Sequence, residues 1–276
     1  MNSFTLVLGG GGVTGIAWET GVIAGLADEG IDLSGAHSTL GTSAGAAVAA
    51  QLTSGASIES LYEHQLTGVP YEIAKSLSGG GILKFVLSQL LPGDEHRASR
   101  RVGALALKAA VGSVAERRAV IERRLTSHSW PQADLRIVVV DALTGVERVI
   151  TRTDGLGLVD VVAASCAVPL VWPSVELEGR AYIDGGVRSP ANLDLAPGSG
   201  PVIALVPLKT AFRRAGRIDE QVKALGPRRV ELIQMSAEAK QAQGRNSLDN
   251  SVVPAVASAG REQGRREAAR VRAAGA

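Results

Sequence analysis

The chain opens with a short apolar run at 5–8 that passes directly into four glycines at 9–12. Residues 14–30 then carry helical spacing, with Ile16, Val22, Ile23 and Leu26 on one face and Gly30 as a stop. A β-like run at 37–40 enters Gly41-Thr42-Ser43-Ala44-Gly45, and good helix formers follow at 46–52. The first fifty residues therefore predict strand–turn–helix twice over, the opening of an α/β sheet.

Residues 57–130 predict a mostly helical stretch. After a linker at 78–81, Ile82, Leu83, Val86, Leu87, Leu90 and Leu91 recur at helical spacing until Pro92-Gly93 ends the element. That stripe, with Phe85 beside it, reads first as a helix packed on the core, ahead of an acyl-channel wall or a membrane-surface helix. Residues 94–101 are charged and predict an exposed loop. A β-rich run at 136–141 is expected to pair with 149–151 through a turn at Thr144-Gly145. Residues 156–167 predict a helix stopped by Pro169, and 175–183 a hairpin turning at Glu178-Gly179. An apolar strand follows at 202–208, then helices at 218–244 and, more polar, at 256–272.

Composition narrows this to an α/β protein. The 276 residues suffice for one large domain, and 45 % are hydrophobic but only 3 % aromatic, so the core must be built from Val, Leu, Ile and Ala. Cys166 is the only cysteine, which excludes an internal disulfide and a multi-cysteine metal site and points to a reducing compartment. The N-terminus lacks the basic start of an export signal, and the uncharged stretch 161–175 is broken by Pro169 and Pro173 and too short to span a bilayer. These features predict a soluble, cytoplasmic protein. The net charge of +2 is uneven: residues 210–276 hold 13 Lys/Arg against 7 Asp/Glu. The mixed signs favour a solvated helix face over a lipid-head-group or nucleic-acid site, and no nucleic-acid partner is expected.

Gly41-Thr42-Ser43-Ala44-Gly45 matches Gly-x-Ser-x-Gly, the turn that lifts a nucleophilic serine between a strand and a helix. Its glycines matter because ordinary side chains would clash on so sharp a turn, and the following helix aims its positive end at the site. A serine needs a base, commonly a histidine late in the chain. Here His37, His64, His96 and His128 all come early, and none sits in a loop after a late strand. The glycine run contains Gly-x-Gly-x-x-Gly at Gly10, Gly12 and Gly15, but no carboxylate ends the second strand to hold a ribose, and no Gly-Lys-Ser/Thr follows. The remaining use of such a loop is to present backbone N–H groups to an oxygen becoming negative. Asp184, in Tyr182-Ile183-Asp184-Gly185-Gly186, stands between an apolar strand end and two glycines, where it reads either as a turn residue or as the missing base. No cofactor is implied, and neither the scattered histidines nor any acidic cluster has metal-site spacing.

The glycine loop, the serine elbow, Ala164-Ser165-Cys166-Ala167-Val168-Pro169 and Asp184-Gly185-Gly186 occur in the order and approximate spacing of the patatin-like phospholipase family, which the chain resembles over about residues 4–208. The resemblance implies a three-layer α/β/α sandwich with a central, mostly parallel sheet. The chain is read as one domain over 1–276, with a helical insertion at about 57–130 and a basic helical segment at 210–276. The resemblance maps Ser43 to nucleophile, Asp184 to base, and Gly10, Gly11 and Gly12 to an oxyanion hole, which the Ala44 amide would join. The expected activity is hydrolysis of lipid or other acyl esters through an acyl-enzyme, with peripheral contact to a membrane surface left open. A non-catalytic lipid- or partner-binding relative is the alternative, and a nucleotide-binding oxidoreductase stands third. Two departures bear on this. Thr14 stands where the family usually carries Arg or Lys, and Ser189 where it often carries Asn.

Overall fold

The computed structural model describes residues 4–67, 79–109, 111–209 and 211–275. The N-terminal half contributes β1 (Thr5–Leu8), α1 (Gly12–Asp28), β2 (Ser38–Thr42), α2 (Ala44–Thr53), α3 (Ile58–Leu66), α4 (Gly79–Leu90), α5 (Glu95–Lys108) and α6 (Val114–Arg124). There follow β3 (Asp134–Asp141), β4 (Glu147–Thr151), α7 (Leu158–Ser165), β5 (Val175–Leu177), β6 (Arg180–Asp184), β7 (Val202–Val206), α8 (Ile218–Ala224), β8 (Val230–Gln234), α9 (Ala237–Gln243) and α10 (Val253–Ala274).

The strands form one sheet in the order β5-β6-β3-β2-β1-β7-β8, with β4 pairing β3 off this path. The pairs among β3, β2, β1, β7 and β8 are parallel, whereas β4, β5 and β6 join antiparallel. Side chains alternate between two cores, as the two-residue period of a strand requires. Leu6, Leu8, Ile203 and Leu205 enter the larger core with α1, α2, α7 and α10, while Val7, Val202, Ala204 and Val206 enter a second core on the other face. Burial on both faces makes this the expected three-layer α/β sandwich. The aliphatic core holds two fully buried tryptophans, Trp18 and Trp172.

The structure corrects the sequence reading in four places. Residues 94–101 are not a loop: Asp94 caps α5 by accepting the Arg97 N–H at 2.7 Å, and the charges line one side while Ala98, Val102 and Ala106 are buried. Residues 218–244 are not one helix, because Gly226-Pro227 breaks the run and Val230–Gln234 pairs in parallel with β7. Gly79, Gly80 and Gly81, expected as a linker, already belong to α4, while Ser78 and the Ile82 side chain lie outside the described residues. Finally, the stripe on α4 is not core: Leu87 is 51 % and Leu90 62 % exposed, and Leu83 and Leu91 are exposed as well.

The basic C-terminal segment is fastened to the rest of the fold. Helices α1 and α10 cross at glycines; a Cβ on Gly25 or Gly264 would run into the backbone of the opposite helix. Arg261 pairs with Asp28 and Glu59, and Arg265 with Asp28, so part of its charge is spent holding α10 to α1 and α3. Among the described residues, no helix is long and apolar enough to cross a membrane.

Candidate active site

The strand β3 collects the site. Thr42, the last residue of β2, pairs with Val138, and Asp184, the last of β6, pairs with Val139. Two consecutive positions of one strand thus receive the residue before Ser43 and Asp184 itself. Ser43 stands at φ 54, ψ −113, on the turn that opens α2. An L-residue pays roughly 1–3 kcal/mol for such a conformation, and the surroundings must hold it there. They do so partly through Gly45, where a Cβ would enter the Leu8 carbonyl.

On that turn the Ser43 hydroxyl donates to Asp184 Oδ2 at 2.6 Å, and the other carboxylate oxygen accepts the Gly186 N–H at 2.7 Å. Both side chains are nearly buried, at 7 % and 5 % exposure. Burial pushes the Asp184 carboxyl up to about 6; the Ser43 hydroxyl, the Gly186 amide and the positive charge of Arg117 offset part of that rise. A carboxyl in this state is a stronger base than an exposed aspartate and still ionises near neutrality. None of the four histidines lines the cavity around the pair.

The end of α7 and the two residues after it tie the pair together, a role the sequence reading did not assign. Ser165 Oγ accepts the Ser43 N–H at 2.9 Å and donates to the Val138 carbonyl at 2.8 Å. The Cys166 thiol donates to the Ser43 carbonyl at 3.2 Å, and the Ala167 carbonyl accepts the Asp184 N–H at 3.1 Å. Three successive residues therefore hold the amide of Ser43, its carbonyl and the amide of Asp184. The motif itself was visible in the sequence, but nothing in its residue types revealed which backbone groups it meets.

Asn192 was also missed. Fully buried at φ 49, it donates from Nδ2 to Thr42 Oγ1, the Gly185 carbonyl and the Ser189 carbonyl, bridging the end of β2 to the turn after Asp184. Ser189 is buried too, and its hydroxyl accepts the Ala191 and Asn192 amides. The support around Asp184 is thus shared by Ser189 and Asn192.

The glycine loop lines the same cavity as Ser43 and Asp184. The Gly10 amide, expected among the donors to an oxyanion, already donates to the Pro190 carbonyl at 2.7 Å, which removes it from that set. Gly11 and Gly12 line the cavity beside Ser43. Gly12 and Ala44 begin α1 and α2, where a helix leaves its first amides without a carbonyl one turn back. Thr14 does not face the site as a charge would. It is buried, and its hydroxyl donates to the Ser247 carbonyl at 3.2 Å and accepts from Gln243 Nε2 at 2.7 Å, pinning the loop to the segment after α9.

Ser43 and Asp184 line a cavity of about 250 Å³ whose walls include Phe85, Val168, Val187, Leu208, Phe212 and Leu248. The rings of Phe85 and Phe212 meet edge to face at 5.7 Å. A mostly apolar chamber with a hydroxyl–carboxyl pair in its wall suits a hydrocarbon chain better than a polar ligand.

A family model for patatin-like phospholipase matches residues 6–197. No curated protein matches the sequence. Among solved structures the chain is similar to VipD from Legionella pneumophila, at 14 % identity and TM-score 0.51, with 98 % of this chain and 67 % of that one covered. It also aligns with the type III effector protein ExoU, at 16 % identity, TM-score 0.45 and 98 % and 53 % coverage. The ExoU-SpcU complex from Pseudomonas aeruginosa gives 16 % identity, TM-score 0.45 and 98 % and 52 % coverage. The chain spans about half the length of the ExoU chains, and at such identities the likeness to VipD speaks for the fold alone. The family match extends over well more than half of the sequence and takes in the glycine loop, the serine elbow and Asp184: the chain belongs to the patatin-like phospholipase family.

Proposed function

We propose that the protein hydrolyses carboxylic esters of lipids with Ser43 as nucleophile and Asp184 as general base. The observation that carries this reading is the 2.6 Å hydrogen bond between the two side chains in the wall of a mostly apolar cavity. The Ser43 oxygen attacks the acyl carbonyl as its proton passes to Asp184, and the amides of Gly11, Gly12 and Ala44 receive the oxyanion. Collapse breaks the ester bond, the proton leaves on the alcohol, and the acyl group stays on Ser43. Water, deprotonated by the same carboxylate, then releases the fatty acid and restores the serine.

The exposed leucines of α4, close to Phe85 on the cavity wall, support contact with a lipid surface. A reducing, cytoplasmic setting suits the buried Cys166 thiol. Hydrolysis of p-nitrophenyl esters and labelling by a fluorophosphonate probe test the assignment. Both are expected in the wild type and lost in Ser43→Ala. Near-normal turnover by that variant rejects the nucleophile; a folded wild type that neither turns over nor labels leaves a lipid-binding, non-catalytic protein.

A further inference from the structure

Two arginines, Arg188 and Arg213, stand in the wall of the cavity that Ser43 and Asp184 line. They are held differently. Arg188 is neutralised by Asp194 at 2.5 Å and by Glu147 at 3.3 Å. Arg213, in the loop after β7, donates from Nη1 to the Gly93 carbonyl at 3.0 Å and from Nη2 to the Leu91 carbonyl at 2.5 Å. Both acceptors are uncharged, and among the described residues no carboxylate pairs with Arg213. Its Nε has no hydrogen-bond partner among them either.

Capping α4 does not account for this charge. The end of that helix already has a guanidinium, because Arg101 donates to the Ser88, Leu91 and Pro92 carbonyls. The loop has other anchors as well: Phe212 meets Phe85, and Ser189 Oγ donates to the Gly216 carbonyl at 3.0 Å. Gln89, also on the wall, donates to the Val187 carbonyl, and the Asp184 carboxylate is taken by Ser43 and the Gly186 amide. A cation in a mostly apolar wall is costly to keep without a counter-charge. Such a pocket draws its specificity from the few polar groups it contains.

We propose that Arg213 is the specificity-determining cation of this site, and that it selects acyl esters whose head group carries a net negative phosphate diester over zwitterionic or uncharged ones. The inference rests on the reading of Ser43 and Asp184 as the hydrolytic pair. In a glycerophospholipid the phosphate lies a few bonds from the ester carbonyls, so an acyl ester at Ser43 brings that anion into the same chamber. A guanidinium fits a phosphate with parallel N–H donors, and its charge disfavours a cationic head such as choline.

The test compares kcat/KM for three dispersed esters with the same acyl chains: dihexanoyl phosphatidylglycerol, dihexanoyl phosphatidylcholine and dihexanoylglycerol. The wild type should favour the phosphatidylglycerol over each of the others by about tenfold, chiefly through KM. Arg213→Met should bring both ratios close to one. Arg213→Lys, which keeps the charge, should retain most of the preference. Should Arg213→Met fold poorly, Arg213→Gln keeps a donor towards the Leu91 and Gly93 carbonyls and is expected to lose the preference equally. Neutral variants whose ratios match the wild type overturn the inference, whatever their overall rates, because a merely structural arginine would slow all three esters alike. So does Arg213→Lys with ratios as flat as those of the neutral variants. A wild type inert on every ester, or turnover surviving in Ser43→Ala, fails the underlying reading. Ser43-dependent hydrolysis without a charge preference fails this inference alone.

Discussion

Ser43 and Asp184, 141 positions apart in the chain, meet at 2.6 Å because Val138 and Val139 of β3 receive Thr42 and Asp184 side by side. The contact is therefore a property of sheet register. A slip of one residue in either pairing would turn the side chains to the opposite face.

That geometry sets activity against stability. Asp184 is raised to about 6 in the folded chain, above its value in an unfolded one, so the stability it contributes is complete below the unfolded value and is lost as pH rises through 6. Replacing it by Asn should abolish esterase activity by about a thousandfold or more. The same variant should be at least as stable as the wild type at pH 8, by up to about 3 kcal/mol. Thermal melts at pH 5 and pH 8 check the sign: a Asp184→Asn protein less stable than wild type at pH 8 contradicts it.

Ser165 holds the Ser43 amide and the Val138 carbonyl at once. Ser165→Ala should leave both buried backbone groups without this partner, costing about 1–3 kcal/mol of stability and lowering kcat more than it raises KM. Steady-state kinetics on a short ester separate the two. An unaffected kcat would show that this strap does not position Ser43 for reaction.

Glu19 is fully buried on α1, and neither carboxylate oxygen has a hydrogen-bond partner among the described residues. Burial pushes its carboxyl well above the usual carboxylate range. As for Asp184, a raised value means that stability is lost as pH climbs through the folded-state titration. Glu19→Gln, which cannot ionise, should raise the melting temperature by about 2–4 °C at pH 8 and change it little at pH 4.5. A larger gain at the lower pH would reverse the assignment.

The exposed leucines of α4 give the membrane question a direct test. Leu87→Asn with Leu90→Asn should leave thermal stability within about 0.5 kcal/mol, since neither side chain is core. Binding to phospholipid vesicles should fall about tenfold or more in a co-sedimentation assay. Unchanged binding removes this face from contact with lipid; a large loss of stability returns it to the core.

Much of the fold was legible because it rests on local patterns. The apolar runs at 5–8 and 202–208, the hairpin at Glu178-Gly179 and the polar helix near the C-terminus appear in the structure with shifts of a few residues. The errors came where local pattern and tertiary context conflict. Val230–Gln234 has the length and composition of either element, and pairing with β7 decided it as a strand. Residues 94–101 looked solvated because a helix with one charged side and small apolar residues on the other resembles a loop when only charge is counted.

What the sequence determined by itself was the inventory: a glycine loop, a serine on a Gly-x-Ser-x-Gly turn and an aspartate before two glycines, each recognisable because its backbone conformation restricts the residues allowed there. Tertiary structure alone decided the relations among them: that the Gly10 amide is taken by Pro190, and that Ser165 and Asn192 brace the turns. The physical reason is that a turn is encoded by neighbours in the chain, whereas a hydrogen bond between distant segments depends on register and packing, which no short stretch of residues contains.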